Sequence, residues 1–340
     1  MRNKVVIKKF DEKNYLNQVS EVLEENFSFQ KKLKNVKTVF IKPNLVSDVD
    51  SYIKNGSNTD IRIIESVLYY LNKFPNLKVY LGESETGTKT KGRKLIYALE
   101  NMGVIDLQKR YDFEIVNLTE DIQIETPIPN GKFLKKIKLG KTFLESDLII
   151  NLPKIKTHKY ATITCSLKNM FGVIPDPLRI VYHQNIHQVV ADLNKPFYQK
   201  IFTITDGIIC MEGQGPLYGV PRKLGIIMFS SNPLANDYVT CRVMKIDPSR
   251  VKHLQLANEW AKLDFSKIEI LSYKPINKIS SKPFVMANKN AFVKLEGFLM
   301  QNPFIVRLLF NNWFRKNITK KISFITDRMR GGSYKWYEQK

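Results

Sequence analysis

In the stretch NLPKIKTHKYATITCSLKNMFG, residues 151–172, Lys154, Lys156 and His158 alternate with Ile155 and Thr157, and Lys168 and Asn169 follow ten residues later. Pro153 biases its predecessor towards extended backbone, and in an extended chain residues two apart share a face. Two ammonium groups and an imidazole are therefore predicted side by side, an arrangement that grips a carboxylate or phosphate through charge-assisted hydrogen bonds. A lysine desolvated among other cations also sheds its proton near neutrality and becomes a base or nucleophile. The plainer alternative is a set of solvated loop charges, the ordinary state of lysine. From about Tyr160 the spacing of Ile163, Leu167, Met170, Phe171 and Ile174 predicts a helix, with Thr164 and Lys168 on one stripe and its N-terminus adding positive character beside the lysines.

A second segment, DGIICMEGQGPLYGVPRKLG from Asp206 to Gly225, carries Gly213, Gly215, Gly219, Pro216 and Pro221. It reads as a loop whose backbone approaches a ligand closely, with Asp206 and Glu212 as carboxylates for the opposite acid–base role. It matches neither a Walker loop nor a dinucleotide fingerprint. Asp237 either caps a helix or points a carboxylate at the same region. Catalytic candidates are thus Lys156, His158, Lys168, Asp206 and Glu212, and substrate-binding candidates Lys42, Asn44, Lys154, Asn169, Gly213, Gly215, Gly219 and Asp237. His183 and His187 stand at i, i+4, where a third ligand would complete a metal site; ordinary helix-surface histidines give the same spacing, and no metal is assigned. Cys165, Cys210 and Cys241 form no C-x-x-C pair, so neither a disulfide framework nor a self-contained iron–sulfur cluster is expected.

These residues need a frame. Runs rich in β-branched residues at 36–43, 77–84, 113–118, 147–154, 201–207 and 224–230 alternate with helical patterns at 60–73, 91–102, 186–194 and 233–244. Several runs are continuously apolar, as strands buried on both faces are. The prediction is an α/β fold, a mostly parallel sheet with flanking helices. In such sheets working residues gather at strand carboxyl ends, where Lys42, Asn44, Glu83, Lys154 and Asp206 fall. Residues 119–146 break the rhythm, and IQIETPI and FLKKIKL around a PNG turn predict a small antiparallel hairpin insertion.

The chain of 340 residues holds 54 Lys and Arg against 32 Asp and Glu, a net charge of +22, with 43% hydrophobic residues. The basic residues are dispersed, with no Arg-rich run or RNA-binding aromatic motif, so nucleic acid is not expected as a partner. A small anionic ligand or an anionic membrane surface fits the charge equally. The start of the sequence shows no apolar segment of signal-peptide length, and a cytoplasmic location is expected. An α/β body is drawn over 1–275 and a basic, helical extension over 276–340; residues 301–340 hold nine Lys or Arg and two acids. From Pro303, the residues Phe304, Ile305, Leu308, Leu309, Trp313 and Phe314 form an apolar stripe edged by Arg307, Arg315 and Lys316. Such a helix packs on protein or attaches peripherally to anionic lipid.

Taken in order, IKPNL (41–45), GES (82–84), DLIINLPKIKTHKYATITCSLKNMFG (147–172), DGIICMEGQGPLYGVP (206–221) and SSNPLANDYVTCRVMKIDP resemble the domain of unknown function 362 family over roughly residues 36–250. The resemblance implies that the candidates named above, with Pro216, belong to shared motifs. Many relatives add an eight-cysteine ferredoxin-like segment, which this chain lacks, so cluster-dependent chemistry would require a separate electron-transfer partner. More distantly, the layout is similar to the domain of nickel-pincer lactate racemases; no nickel ligand is carried over.

Overall fold

The computed structural model describes residues 3–85 and 94–288, and beyond these Leu295, Leu299, Asn302, Phe304, Ile305 and Leu308. Its strands are β1 (Lys4–Lys9), β2 (Thr38–Pro43), β3 (Lys78–Glu83), β4 (Glu114–Asn117), β5 (Gln123–Pro127), β6 (Lys136–Gly140), β7 (Leu148–Leu152), β8 (Lys154–His158), β9 (Thr162–Thr164), β10 (Ile201–Gln214), β11 (Tyr218–Ser230) and β12 (Glu269–Ser272). β5 and β6 pair apart from the rest as the predicted antiparallel hairpin. The other ten share one sheet in the order β12-β1-β11-β10-β7-β2-β3-β4, with β8 on β10 and β9 on β8. Among the described residues six of its nine pairings are parallel, so the sheet is mostly parallel as expected.

Alternation along the central strands builds two cores. Val5, Ile7, Phe40 and Ile149 face one side, whereas Val39, Ile41, Leu148 and Ile150 face the other. Because both faces are covered, β2 and β7 read as unbroken apolar runs. Helices Tyr15–Glu25, Ile61–Leu71 and Lys94–Asn101 cover the second face; Ile186–Leu193, Pro233–Met244 and Lys252–Ala261 cover the first. Their starts follow local chemistry. Asp60 accepts Arg62 N at 3.0 Å, and Asn232 accepts Leu234 N and Ala235 N ahead of Pro233 in the first turn.

Two local expectations are corrected. No helix begins at Tyr160: the chain turns at 159–161 and returns as β9, antiparallel to β8, and only Ser166–Asn169 is α-helical before a 3-10 turn, Met170–Val173. The reason is His158, whose Nδ1 accepts both Tyr160 N and Ala161 N at 3.1 Å and so fixes a turn, after which the β-branched run Thr162, Ile163, Thr164 favours a strand. The segment 206–225 is not a loop either. β10 and β11 run on as a long antiparallel ribbon through the Gly213–Gly219 pair, with only residues 215–217 as its tip.

Residues 276–288 lie on the body: Ile279 and Phe284 enter the first core, and Phe284 N donates to Met244 O at 3.0 Å. Of the expected C-terminal helix, Phe304, Ile305 and Leu308 are described and helical; Pro303, Arg307, Leu309, Trp313, Phe314, Arg315 and Lys316 lie outside the described residues. No helix among the described residues is long and apolar enough to cross a membrane.

Candidate functional site

The carboxyl ends of β2, β3 and β8, with the segment that follows β9, enclose a cavity of about 460 Å³. Asn44, Glu83, Lys156, His158, Thr164, Lys168, Asn169, Arg179 and His183 form its polar wall, and Leu45, Val46, Phe171, Ile180 and Leu217 contribute apolar surface. The ribbon tip closes one side. Thr157 Oγ1 donates to Gly213 O at 2.9 Å and Lys159 N to Gly215 O at 3.1 Å, which brings Pro216 and Leu217 to the cavity. A Cβ on Gly215 would stand 2.0 Å from Thr157 O, so this approach requires glycine.

Four lysines are buried here, and their partners differ. Lys42 Nζ pairs with Glu83 Oε2 at 2.5 Å, and Lys154 Nζ with Asp206 Oδ2 at 2.7 Å. Lys156, fully buried, forms no ion pair among the described residues; its Nζ donates to Asn44 Oδ1 at 2.5 Å and Ser57 O at 2.7 Å. Among the described residues Lys168 makes neither an ion pair nor a hydrogen bond, and its Nζ lies over the Phe171 ring, 4.0 Å from the centroid. Burial, then Lys154 and Lys168, holds Lys156 well below the ordinary lysine range. Burial, then Arg179, pulls Lys168 down to about 7. The Arg179 guanidinium is fixed by Glu85 O at 2.7 Å and Ile174 O at 3.1 Å, a rigid cation beside them.

Asn44 begins a directional chain. Its Nδ2 donates to Asn169 Oδ1 (3.0 Å), Asn169 Nδ2 to Asn151 Oδ1 (2.7 Å), and Asn151 Nδ2 to Ser166 Oγ (2.9 Å). Backbone carbonyls set the orientation: Asn151 Nδ2 also donates to Ser166 O at 3.0 Å and Asn169 Nδ2 to Lys42 O at 3.3 Å, so each turns its oxygen to the amide before it, and Asn44 is left with its oxygen towards Lys156. Asn169 therefore serves the site by orienting Asn44.

The two cavity histidines are complementary. His158 Nδ1 accepts backbone N–H groups, so Nε2 carries its proton; His183 Nδ1 lies 3.1 Å from Ile180 O, donates to it, and leaves Nε2 with a lone pair. The rings stack with centroids 6.3 Å apart. Burial, then Lys168, holds His158 well below the imidazole range and His183 down to about 3, so both are neutral at neutral pH.

The expected acidic wall is corrected. Asp206 is sealed against Lys154 and also accepts Asp60 N at 2.7 Å and Ile208 N at 2.9 Å, tying a helix start to the sheet. Glu212 pairs with Arg222 at 2.6 Å on the ribbon, and Asp237 accepts Ser166 N and Leu167 N at 2.7 and 2.9 Å, capping the short helix. None of the three lines the cavity, nor do Lys42, Lys154, Gly213, Gly215 or Gly219. Lys42 acts at one remove, by holding Glu83. His183 stands in the cavity wall, whereas His187 stacks on His253, centroids 5.8 Å apart. Among the described residues no three His, Cys, Asp or Glu side chains converge as metal ligands, and Cys165, Cys210 and Cys241 are buried and free. Glu83, Arg179 and His183 are cavity residues not chosen from the sequence; the strand-end position of Glu83 was the available signal. A larger recess of about 770 Å³ lies near Lys32, Tyr198 and Asn232, where polar groups satisfy one another: Lys32 Nζ donates to Gln199 O and Tyr198 OH to Asn232 Oδ1 at 2.6 Å.

Residues 39–242, which hold most of these groups, match the family described as Domain of unknown function (DUF362). The chain belongs to the DUF362 family. Thylakoid-associated protein sll1697 of Synechocystis sp. is 26% identical over 181 residues, 51% of this chain and 53% of that protein. The lactate racemase apoprotein from Thermoanaerobacterium thermosaccharolyticum is similar in structure with a TM-score of 0.41 and 14% identity, covering 66% of this chain and 54% of that one. This DUF362 chain thus matches about half the length of each.

Proposed function

We propose that this DUF362 protein is an enzyme that takes a small organic anion, bearing a carboxylate or phosphate and an apolar portion, into the 460 Å³ cavity and acts on it by proton transfer. The observation that carries this reading is the company the cations keep. Among the described residues neither Lys168 nor Arg179 forms an ion pair, Glu83 of the same wall being bonded to Lys42, and beside them stand two neutral imidazoles, one offering a proton and one a lone pair. An anion supplies the missing counter-charge, and the imidazoles and Lys156 supply acid–base groups. Lys168→Met removes a cation without orphaning a protein partner. Titration calorimetry against carboxylates and phosphate esters is expected to show roughly tenfold or greater weakening in that variant, with Glu212→Gln unchanged. Equal affinity in Lys168→Met would reject the reading.

A second reading concerns location. The relative is named as thylakoid-associated, and in this chain the helical residues Phe304 and Leu308 are 75% and 45% exposed. A cytoplasmic protein attached peripherally to anionic lipid through its basic extension fits both. The full chain should co-sediment with phosphatidylglycerol vesicles, and Phe304→Ser with Leu308→Ser should release it; co-sedimentation untouched by the pair would reject attachment by this segment.

A further inference from the structure

Counting the hydrogen bonds of the buried lysines separates Lys156 from the rest. An ammonium has three N–H groups to place, whereas an amine has two and a lone pair. Lys42 Nζ and Lys154 Nζ each meet a carboxylate, at 2.5 and 2.7 Å. Lys156 Nζ meets two neutral acceptors, Asn44 Oδ1 and Ser57 O, and no acid. Two acceptors match an amine. Among the described residues a third N–H would find no acceptor, in a wall shared with Lys168 and Arg179, where another positive charge is unwelcome. The amide chain through Asn169 and Asn151 holds Asn44 oxygen-first, so the amine is fixed in place with no described residue on its lone pair.

We propose that Lys156 is a covalent nucleophile, forming an imine with the carbonyl carbon of a 2-oxo acid whose carboxylate sits against Lys168 and Arg179. This deepens the reading of the cavity as an anion site and rests on it. The lone pair of Nζ adds to the carbonyl carbon, making the C–N bond while the π pair moves to oxygen. Both amine protons end on that oxygen, which leaves as water when the C=N bond forms, so neither oxidant nor reductant is needed. His158, with its proton on Nε2, and His183, with a lone pair there, line the same cavity and relay those protons. The low proton affinity that burial imposes on Lys156 favours the amine at pH values where ordinary lysines are protonated. Once protonated from solvent, the imine keeps one N–H for Asn44 Oδ1.

The test uses the full chain with pyruvate and phenylpyruvate as probes, cyanoborohydride to trap the imine as a secondary amine, and peptide mass mapping. The expected result is a single adduct on Lys156, formed at pH values where ordinary lysines remain protonated, with Lys42 and Lys154 unlabelled and no adduct in Lys156→Arg. Nitrogen NMR of 15N-lysine-labelled protein across pH reads the Lys156 amine independently of any substrate and of reagent access, and should show it as an amine at pH values where surface lysines are still ammonium. Adducts confined to surface lysines, or a Lys156 titration like theirs, overturn the proposal. If either acid binds by calorimetry without an adduct, the imine is rejected and the anion site stands; if neither binds and no adduct forms, the imine falls together with the 2-oxo acid version of the site.

Discussion

A buried ion pair is tolerable when complete and costly when halved, because the remaining charge is left in a medium that solvates it poorly. Lys154 with Asp206 is such a pair, and it also anchors Asp60 N, so its work is architectural. Asp206→Asn is expected to destabilise the fold by about 3–5 kcal/mol, read by urea unfolding. A loss of only a few tenths would show that the pair is dispensable. Lys168 behaves in the opposite way. Burial and Arg179 hold it down to about 7 in the folded chain, whereas the unfolded chain keeps the ordinary lysine value, so the unfolded state binds the extra proton between the two and stability rises with pH across that window. Lys168→Met should therefore be more stable than the parent by on the order of a few kcal/mol at about pH 6, with the gap closing towards about pH 10. A gap of equal size at both values would contradict this assignment.

The ribbon of β10 and β11 shows how an element serves the cavity without supplying chemistry. Its tip reaches β8 because Gly215 has no Cβ to meet Thr157 O, while Gly213, at φ +78°, has open space around it. Gly213→Ala should cost about 1–2 kcal/mol of backbone strain and leave anion affinity unchanged. Gly215→Ala should lift Pro216 and Leu217 from the cavity and weaken the anion, and calorimetry on both variants separates the outcomes. Equal weakening in the two would mean that the tip does not shape the site. This ribbon was not legible as strand, since its glycines and prolines carry loop signals that pairing overrides. The central strands were legible, because burial on both faces writes continuous apolar runs such as VFI and LIINL. The turn after His158 was not, because a side chain rather than a turn residue makes it. Asn44, Lys156 and His158 were found from strand-end position and alternation, and Lys168 with Asn169 from a helical spacing of which the fold keeps only the short helix Ser166–Asn169. Arg179 escaped, and His183 was read only as half of an i, i+4 pair with His187, because both reach the cavity from a 3-10 segment, Arg179–Asn185, that the helical spacing does not describe.

Taken whole, the molecule is a sheet covered by helices on both faces, and its parallel strands β2, β3, β7 and β10 end on the same side. That topology gathers cations from distant parts of the chain into one wall, and the net charge of +22 adds a general attraction for anions. The wall holds more positive charge than the carboxylate in it balances, which is the ground for proposing an anionic ligand. Native mass spectrometry of gently purified full-length protein examines this directly. It should show a stoichiometric small organic anion that is lost from Lys168→Met and retained by Glu212→Gln. A chain that carries no anion and takes up none from a panel of carboxylates and phosphate esters, or one whose anion survives Lys168→Met unchanged, would contradict the assignment of this cavity.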